Sequence, residues 1–140
     1  MKHSLESLLR PQSVAVIGAS DNPARIGGRP IYSMLKDNFQ GKLFPVNPNR
    51  NIVQGLQAYP NISSVPVPVD SAVISVPENV ALQVIKECAE SGVKSAVVFT
   101  SGYSNPEIEP DSGDIIYLEN RAPIARAADQ TENIKLIIEF

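Results

Sequence analysis

Val14-Ala15-Val16-Ile17 runs directly into Gly18, and this junction restricts the fold more than any other stretch of the chain. Four apolar residues in succession fit a central strand covered on both faces, because a strand with one wet face alternates apolar with polar. Gly18 ends the run; a glycine there lets the backbone turn sharply and lets another group approach the main chain without meeting a Cβ. The polar loop that follows carries Ala19, the hydroxyl of Ser20, the amide of Asn22, the guanidinium of Arg25 and the pair Gly27-Gly28. Beyond it, Ile31, Met34 and Leu35 at helical spacing predict a helix that starts near Arg29 or Pro30 and runs to about Asp37 or Asn38. A helix start offers free N–H groups to the loop before it, which makes it an anion site. The same residues also fit a plain turn between a strand and a helix, since the spacing is not G-x-G-x-x-G.

A chain of 140 residues is one ordinary domain with a real core. At 43% hydrophobic and 19% charged residues, it is not composed like a disordered segment. A net charge of −3 gives no basic footprint and argues against nucleic acid, so an anionic ligand needs local cations. The single cysteine, Cys88, excludes an intrachain disulfide and a clustered-cysteine zinc site, and it falls on the apolar face of a predicted helix. The single histidine, His3, lies near the N-terminus, so no triad or histidine metal cluster can be assembled. No apolar run has the length of a signal-peptide core or a membrane span, which makes the cytoplasm the default location and a membrane role unlikely on sequence grounds.

Taken in order, Leu5, Leu8 and Leu9 predict a short amphipathic helix stopped by Pro11. The first strand is expected at residues 13–17 and a second over Lys42-Leu43-Phe44-Pro45-Val46, closed by the turn pair Asn47-Pro48. In a dinucleotide site the end of this strand usually carries an acid that holds the ribose hydroxyls. Here the position is Asn47, with Arg50 close behind; Arg50 could pair with a ribose phosphate, and a plain turn fits equally. Residues 55–68 are rich in proline and polar side chains, with one helical turn or an irregular connection at Ile62-Ser63-Ser64-Val65 and little expected chemistry. A third strand is expected over Ser71-Ala72-Val73-Ile74-Ser75-Val76, ended by Pro77. Residues 78–91 show a helical face of Val80, Ala81, Val84, Ile85, Cys88 and Ala89, stopped by Gly92. Residues 94–99 form the next strand, ended by Thr100-Ser101-Gly102.

Alternating strands and helices imply parallel pairing, so the expected architecture is a single-domain α/β fold with a doubly wound parallel sheet. Ligands of such sheets bind beyond the carboxyl ends of the strands. Residues 18–28, 47–50, 76–77 and 100–102 all fall at that edge. From residue 104 onward the pattern weakens, and only Ile115-Ile116-Tyr117-Leu118 and Ile134-Lys135-Leu136-Ile137-Ile138 look able to pair. The chain therefore divides into residues 1–103, which carry the motifs, and a divergent segment 104–140 whose last apolar run could complete the sheet edge. An ending this abrupt is expected of a piece of a longer protein.

Taken together, V-A-V-I-G-A-S-D-N-P-A-R-I-G-G-R-P from Val14, F-P-V-N-P-N-R from Phe44, S-V-P from Ser75 and F-T-S-G-Y from Phe99 resemble the coenzyme A-binding, Rossmann-like domain of NDP-forming acyl-CoA synthetases. That family is more distantly represented by the α subunit of succinyl-CoA synthetase. The resemblance covers residues 5–103. It implies coenzyme A or acyl-CoA as the cofactor, held by Gly18, Ala19, Ser20, Asn22, Arg25 and Gly27 of the loop. Asn47, Pro48 and Arg50 would follow, Arg50 standing where succinyl-CoA synthetases have a CoA-contacting lysine. Val76 and Pro77 would lie near the adenine or ribose, and Thr100, Ser101 and Gly102 along the pantetheine path. Ser101 departs from the glutamate of succinyl-CoA synthetases. In the family a phosphohistidine domain and an ATP-grasp domain do the ligase chemistry, so the chain is expected to be a binding module without catalytic residues or a metal of its own. Its partners would be those domains on another chain, with a homo-oligomer possible. A NAD(P)-binding fragment of an oxidoreductase and a structural or oligomerisation domain are the alternatives; Asn47 and Arg50 in place of an acid favour CoA over NAD(P).

Overall fold

The computed structural model of the chain describes residues 10–99 and the strand Leu136–Glu139. The helix expected around Leu5, Leu8 and Leu9, the strand end Thr100-Ser101-Gly102 and the segment Ile115-Ile116-Tyr117-Leu118 lie outside the described residues. In chain order the elements are β1 (Ser13–Ile17), α1 (Arg29–Lys36), β2 (Lys42–Val46), β3 (Ile52–Val53), β4 (Leu56–Gln57), a 3-10 turn (Ile62–Ser64), β5 (Ser71–Ile74), α2 (Glu78–Glu90), β6 (Ser95–Val98) and β7 (Leu136–Glu139).

Five strands form one sheet in the order β2-β1-β5-β6-β7, and every neighbouring pair is parallel. The unbroken apolar run of β1 is explained by its place, since all five of its residues are buried between two neighbours. Side chains alternate across a strand, and the two helices exploit this from opposite sides. Val14 and Val16 share a core with Ile31 of α1, while Ala15 and Ile17 share one with Ala81, Ile85, Cys88 and Ala89 of α2. The register sets Ala15, Ala72 and Ala96 in one row on the α2 side. Three small side chains in line leave room for a helix to lie close to the sheet. This is the doubly wound α/β arrangement that the strand–helix alternation implies.

Two details differ from the sequence reading. β5 stops at Ile74 rather than Val76 because its partner stops first. The Ser75 N–H still donates to the Ile17 carbonyl at 2.8 Å, but Gly18 then turns away with φ +85°, so β1 offers no further partner to Val76. A β3–β4 hairpin, with Ile52 opposite Gln57 and Val53 opposite Leu56, forms where the sequence reading assigned no strand, while the expected single helical turn stands at Ile62–Ser64. Val53 is fully buried in the α1-side core, so the hairpin is packed onto the domain by its own side chain. Pro45 sits in β2, which has one sheet neighbour, where a missing N–H is tolerated.

Cys88 is fully buried on α2, and burial first, then the charge of Glu87, pushes its thiol from 9.0 up to about 12. A raised thiol pKa means the folded state retains a proton that the unfolded state releases. The contribution of this residue is thus fully present below pH 9 and is lost as pH rises toward 12. Urea midpoints measured across that range are expected to fall with a slope that Cys88→Ala reduces, by at most about 1.4 kcal/mol per pH unit. At neutral pH a thiol reagent should label Cys88 only after denaturant is added.

Candidate functional site

Because β2 and β5 flank β1, the carboxyl ends of these three strands converge where the strand order reverses. In an open parallel sheet this is the crevice where ligands sit. A cavity of about 700 Å³ opens there, lined by Gly18, Ala19, Ser20, Asp21, Asn22, Ala24, Arg25, Ile26, Gly27, Asn47, Arg50 and Ser75. The size is within the roughly 300–1,000 Å³ of small-molecule sites.

The loop after β1 is held by bonds to itself and to β2. Gly18 and Ala19 both donate from their N–H groups to the Val46 carbonyl, at 3.1 and 3.2 Å. The Ser20 N–H closes the loop onto the Gly27 carbonyl at 3.2 Å. Two side chains turn back on the main chain: Ser20 Oγ accepts the Asn22 N–H at 3.1 Å, and Asn22 Oδ1 accepts the Ala24 N–H at 2.9 Å. Asn47 reaches across from the end of β2, its Nδ2 donating to the Ala19 carbonyl at 2.9 Å while its Oδ1 accepts the Asn49 N–H at 2.7 Å.

Close approach of backbone to backbone dictates the glycines. A Cβ on Gly18 would lie 1.9 Å from the Ser75 carbonyl oxygen, and one on Gly27 would lie 2.0 Å from the Gly18 carbonyl oxygen. The two glycines thus let β5, β1 and the far side of the loop stack directly on one another. Only Gly18 also has a positive φ.

Two expectations about the anion site change. The start of α1 is poorer in free donors than a bare helix start: the N–H groups of Gly28 and Arg29 both go to the Arg25 carbonyl at 3.0 Å, and Pro30 has none. In the first turn of α1 the Ile31 N–H has no partner among the described residues, and on the loop before it the N–H groups of Asp21, Ile26 and Gly27 likewise have none. Second, the Arg50 guanidinium is already paired with the Asp21 carboxylate. Arg25 is a cavity-lining cation with no ion pair among the described residues.

Of the residues read from the sequence, Gly18, Ala19, Ser20, Asn22, Arg25, Gly27, Asn47 and Arg50 are brought together around one cavity. Pro48 is exposed beside it, and Val76 and Pro77 lie past the end of β5 without lining it. Thr100, Ser101 and Gly102 are outside the described residues. The sequence reading passed over Asp21, Ala24, Ile26 and Ser75, all of which line the cavity, and Gln54, which braces it. Ser75 belongs to the S-V-P motif and lines the cavity just past the end of β5.

Across nearly the whole chain, residues 12–137, the sequence matches the model of the CoA binding domain. The chain belongs to the CoA-binding domain family. Family relatives include the acetate–CoA ligase (ADP-forming) II of Archaeoglobus fulgidus, 42% identical over 100 residues, which cover 71% of this chain and 15% of that protein. The α subunit of the corresponding Pyrococcus furiosus enzyme is 39% identical over 99 residues, covering 71% of this chain and 21% of the subunit. Among solved structures, the apo form of a dinucleotide-forming acetyl-coenzyme A synthetase from Ca. Korarchaeum cryptofilum superposes with a TM-score of 0.69 at 32% identity. That superposition covers 96% of this chain and 39% of that one. The chain is thus similar to one stretch of these ADP-forming ligases and spans a minor part of their length.

The stacked backbones make a direct prediction. Gly27→Ala forces a contact that cannot relax without opening the loop, and overpacking of this kind costs about 1–3 kcal/mol. Gly18→Ala meets the same clash and adds about 1–2 kcal/mol for a non-glycine residue in the left-handed region. Urea unfolding should rank the stabilities wild type, then Gly27→Ala, then Gly18→Ala.

Proposed function

We propose that this chain binds coenzyme A or an acyl-CoA, as the nucleotide-binding module of an NDP-forming acyl-CoA synthetase-like protein. The observation that carries the proposal is the cavity at the switch point, whose polar wall is built for anions. Among the described residues, Arg25 and Arg50 supply two guanidinium groups against the single carboxylate of Asp21, and the loop offers three N–H groups without a partner. Guanidinium and backbone donors suit the phosphates of such a ligand. No acid stands at the end of β2 to receive ribose hydroxyls; Asn47 stands there, with both polar ends of its side chain engaged in holding the loop. These residues fit the phosphates of CoA better than the ribose of NAD.

The Arg50–Asp21 pair belongs to the same account. Its side chains are 55% and 42% exposed, and an exposed pair is worth about 0.2–1 kcal/mol. A ligand phosphate can replace the carboxylate on Arg50 at small cost. The remaining site residues read from the sequence, Pro48, Val76, Pro77, Thr100, Ser101 and Gly102, are assigned to the outer wall and the pantetheine path of the same site. Thioester chemistry is assigned to phosphohistidine and ATP-grasp partner domains, consistent with the minor share that this chain spans of its relatives. Location in the cytoplasm completes the proposal; among the described residues no helix is long and apolar enough to cross a membrane.

Calorimetric titration with CoA, acetyl-CoA, NAD and NADPH tests the reading. CoA or acetyl-CoA is expected to bind, and heat from NAD alone would overturn the assignment. Arg25→Ala should weaken CoA binding by roughly tenfold or more, since a charge-assisted hydrogen bond is worth about 1.5–3 kcal/mol. Arg50→Ala should weaken it too, having removed the counterion of Asp21 as well as a phosphate donor. Asp21→Asn should act in the opposite direction: it keeps an oxygen for the Gln54 N–H, releases Arg50 and should tighten CoA binding by about two- to fivefold.

A further inference from the structure

The β3–β4 hairpin connects Val53 to Leu56 through Gln54 and Gly55, and both central residues have positive φ, +48° and +82°. Two-residue hairpin turns with this backbone favour asparagine, aspartate or glycine at the first position. Gln54 has neither the missing Cβ of glycine nor the short side chain that lets asparagine bond locally. An unfavourable backbone persists where surrounding contacts over-determine it, and such positions gather at functional sites.

The contacts around Gln54 are of that kind. Its Nε2 has two hydrogens and uses both, donating to the Ser20 carbonyl and to the Gly28 carbonyl at 2.9 Å each. Ser20 and Gly28 are the two ends of the loop that walls the cavity. The Gln54 backbone N–H donates to Asp21 Oδ1 at 2.7 Å, while Asp21 Oδ2 holds Arg50. The hairpin does not swing with the loop: buried Val53 fixes it to the α1-side core, and the Ala58 N–H donates to the Asn51 carbonyl at 2.8 Å. One side chain on a rigid bracket therefore spans the mouth of the loop from outside.

We infer that Gln54 is a positioning residue for the phosphate-facing loop, and that it fixes the separation of Ser20 and Gly28 so that the N–H groups of Asp21, Ile26 and Gly27 stay directed at one ligand oxyanion site. It acts through these carbonyls and touches no ligand itself. The tie explains why a glutamine keeps a turn position suited to glycine: its amide reaches both carbonyls at once. The inference rests on the CoA-binding reading for the ligand's identity, but the loop geometry is independent of it.

Gln54→Gly separates positioning from simple stability, because glycine adopts the turn freely yet removes both side-chain bonds. In the full-length chain, the thermal midpoint of Gln54→Gly is expected to stay within a few degrees of wild type while CoA binds about tenfold more weakly. In the ligand-free protein, amide exchange at Ser20, Arg25 and Gly28 should accelerate about tenfold or more, with exchange in β1 and β5 unchanged. Gln54→Ala, which keeps the backbone strain and loses the tie, should show the same loop exchange with a lower thermal midpoint. Unchanged loop exchange in Gln54→Gly would overturn the inference, as would wild-type CoA affinity or an acceleration spread over the whole sheet. If wild-type protein takes up no CoA, the functional reading fails, and the exchange data alone then decide whether Gln54 holds the loop.

Discussion

The Ser75 carbonyl oxygen occupies the place where a side chain at residue 18 would begin. That single close approach ties β1 to β5 at the point where β1 ends, and the cavity is its consequence. With the strand ends drawn together, Gly18 and Ala19 can share the Val46 carbonyl of β2, and the loop folds over the convergence of three strands instead of leaving the sheet. Gly27 repeats the device on the far side of the loop against the Gly18 carbonyl. A ligand wall made of main chain results, in which most N–H groups are spent on the loop's own shape and a few remain for a guest.

The electrostatics follow from the same economy. Two arginines and one aspartate line the crevice, but their roles are unequal. Asp21 serves as counterion to Arg50 and as acceptor for the hairpin, whereas Arg25 lacks an ion-pair partner among the described residues. In the proposed CoA site, this weak internal pair would give way to a stronger one with phosphate. Support comes from outside the loop, through Asn47 on β2 and Gln54 on the hairpin, so the backbone is held by amide side chains rather than by charges. Amide ties are little affected by salt, unlike the exposed ion pair beside them.

Much of this fold can be read from residue pattern alone. β1 and the start of α1 follow from the unbroken apolar run, the glycine stop and the proline in the first helical turn, and eight of the expected residues meet around one cavity. What escaped the reading was of a different kind. The hairpin has two-residue strands and a Gln-Gly turn, a weak signal beside Asn-Gly. Asp21 and Gln54 matter through a contact 33 residues apart in sequence, which no local periodicity encodes. The end of β5 is set by its partner strand rather than by its own residues, so it falls two residues before the expected Val76, and Ser75 just beyond it lines the cavity. Which donors the helix start keeps depends on the bonds of Gly28 and Arg29 to the Arg25 carbonyl, which no residue pattern encodes.

The central claim is that the loop amides of Asp21, Ile26 and Gly27, together with Arg25, form the phosphate subsite of a CoA-binding crevice. Two-dimensional amide NMR of the ligand-free chain titrated with CoA tests it most directly. The account predicts that the largest shift changes fall on the N–H groups of Asp21, Ile26 and Gly27 and on the Arg25 side chain, with small changes in α2. Shift changes centred elsewhere, or none at these three amides while CoA is bound, would contradict it.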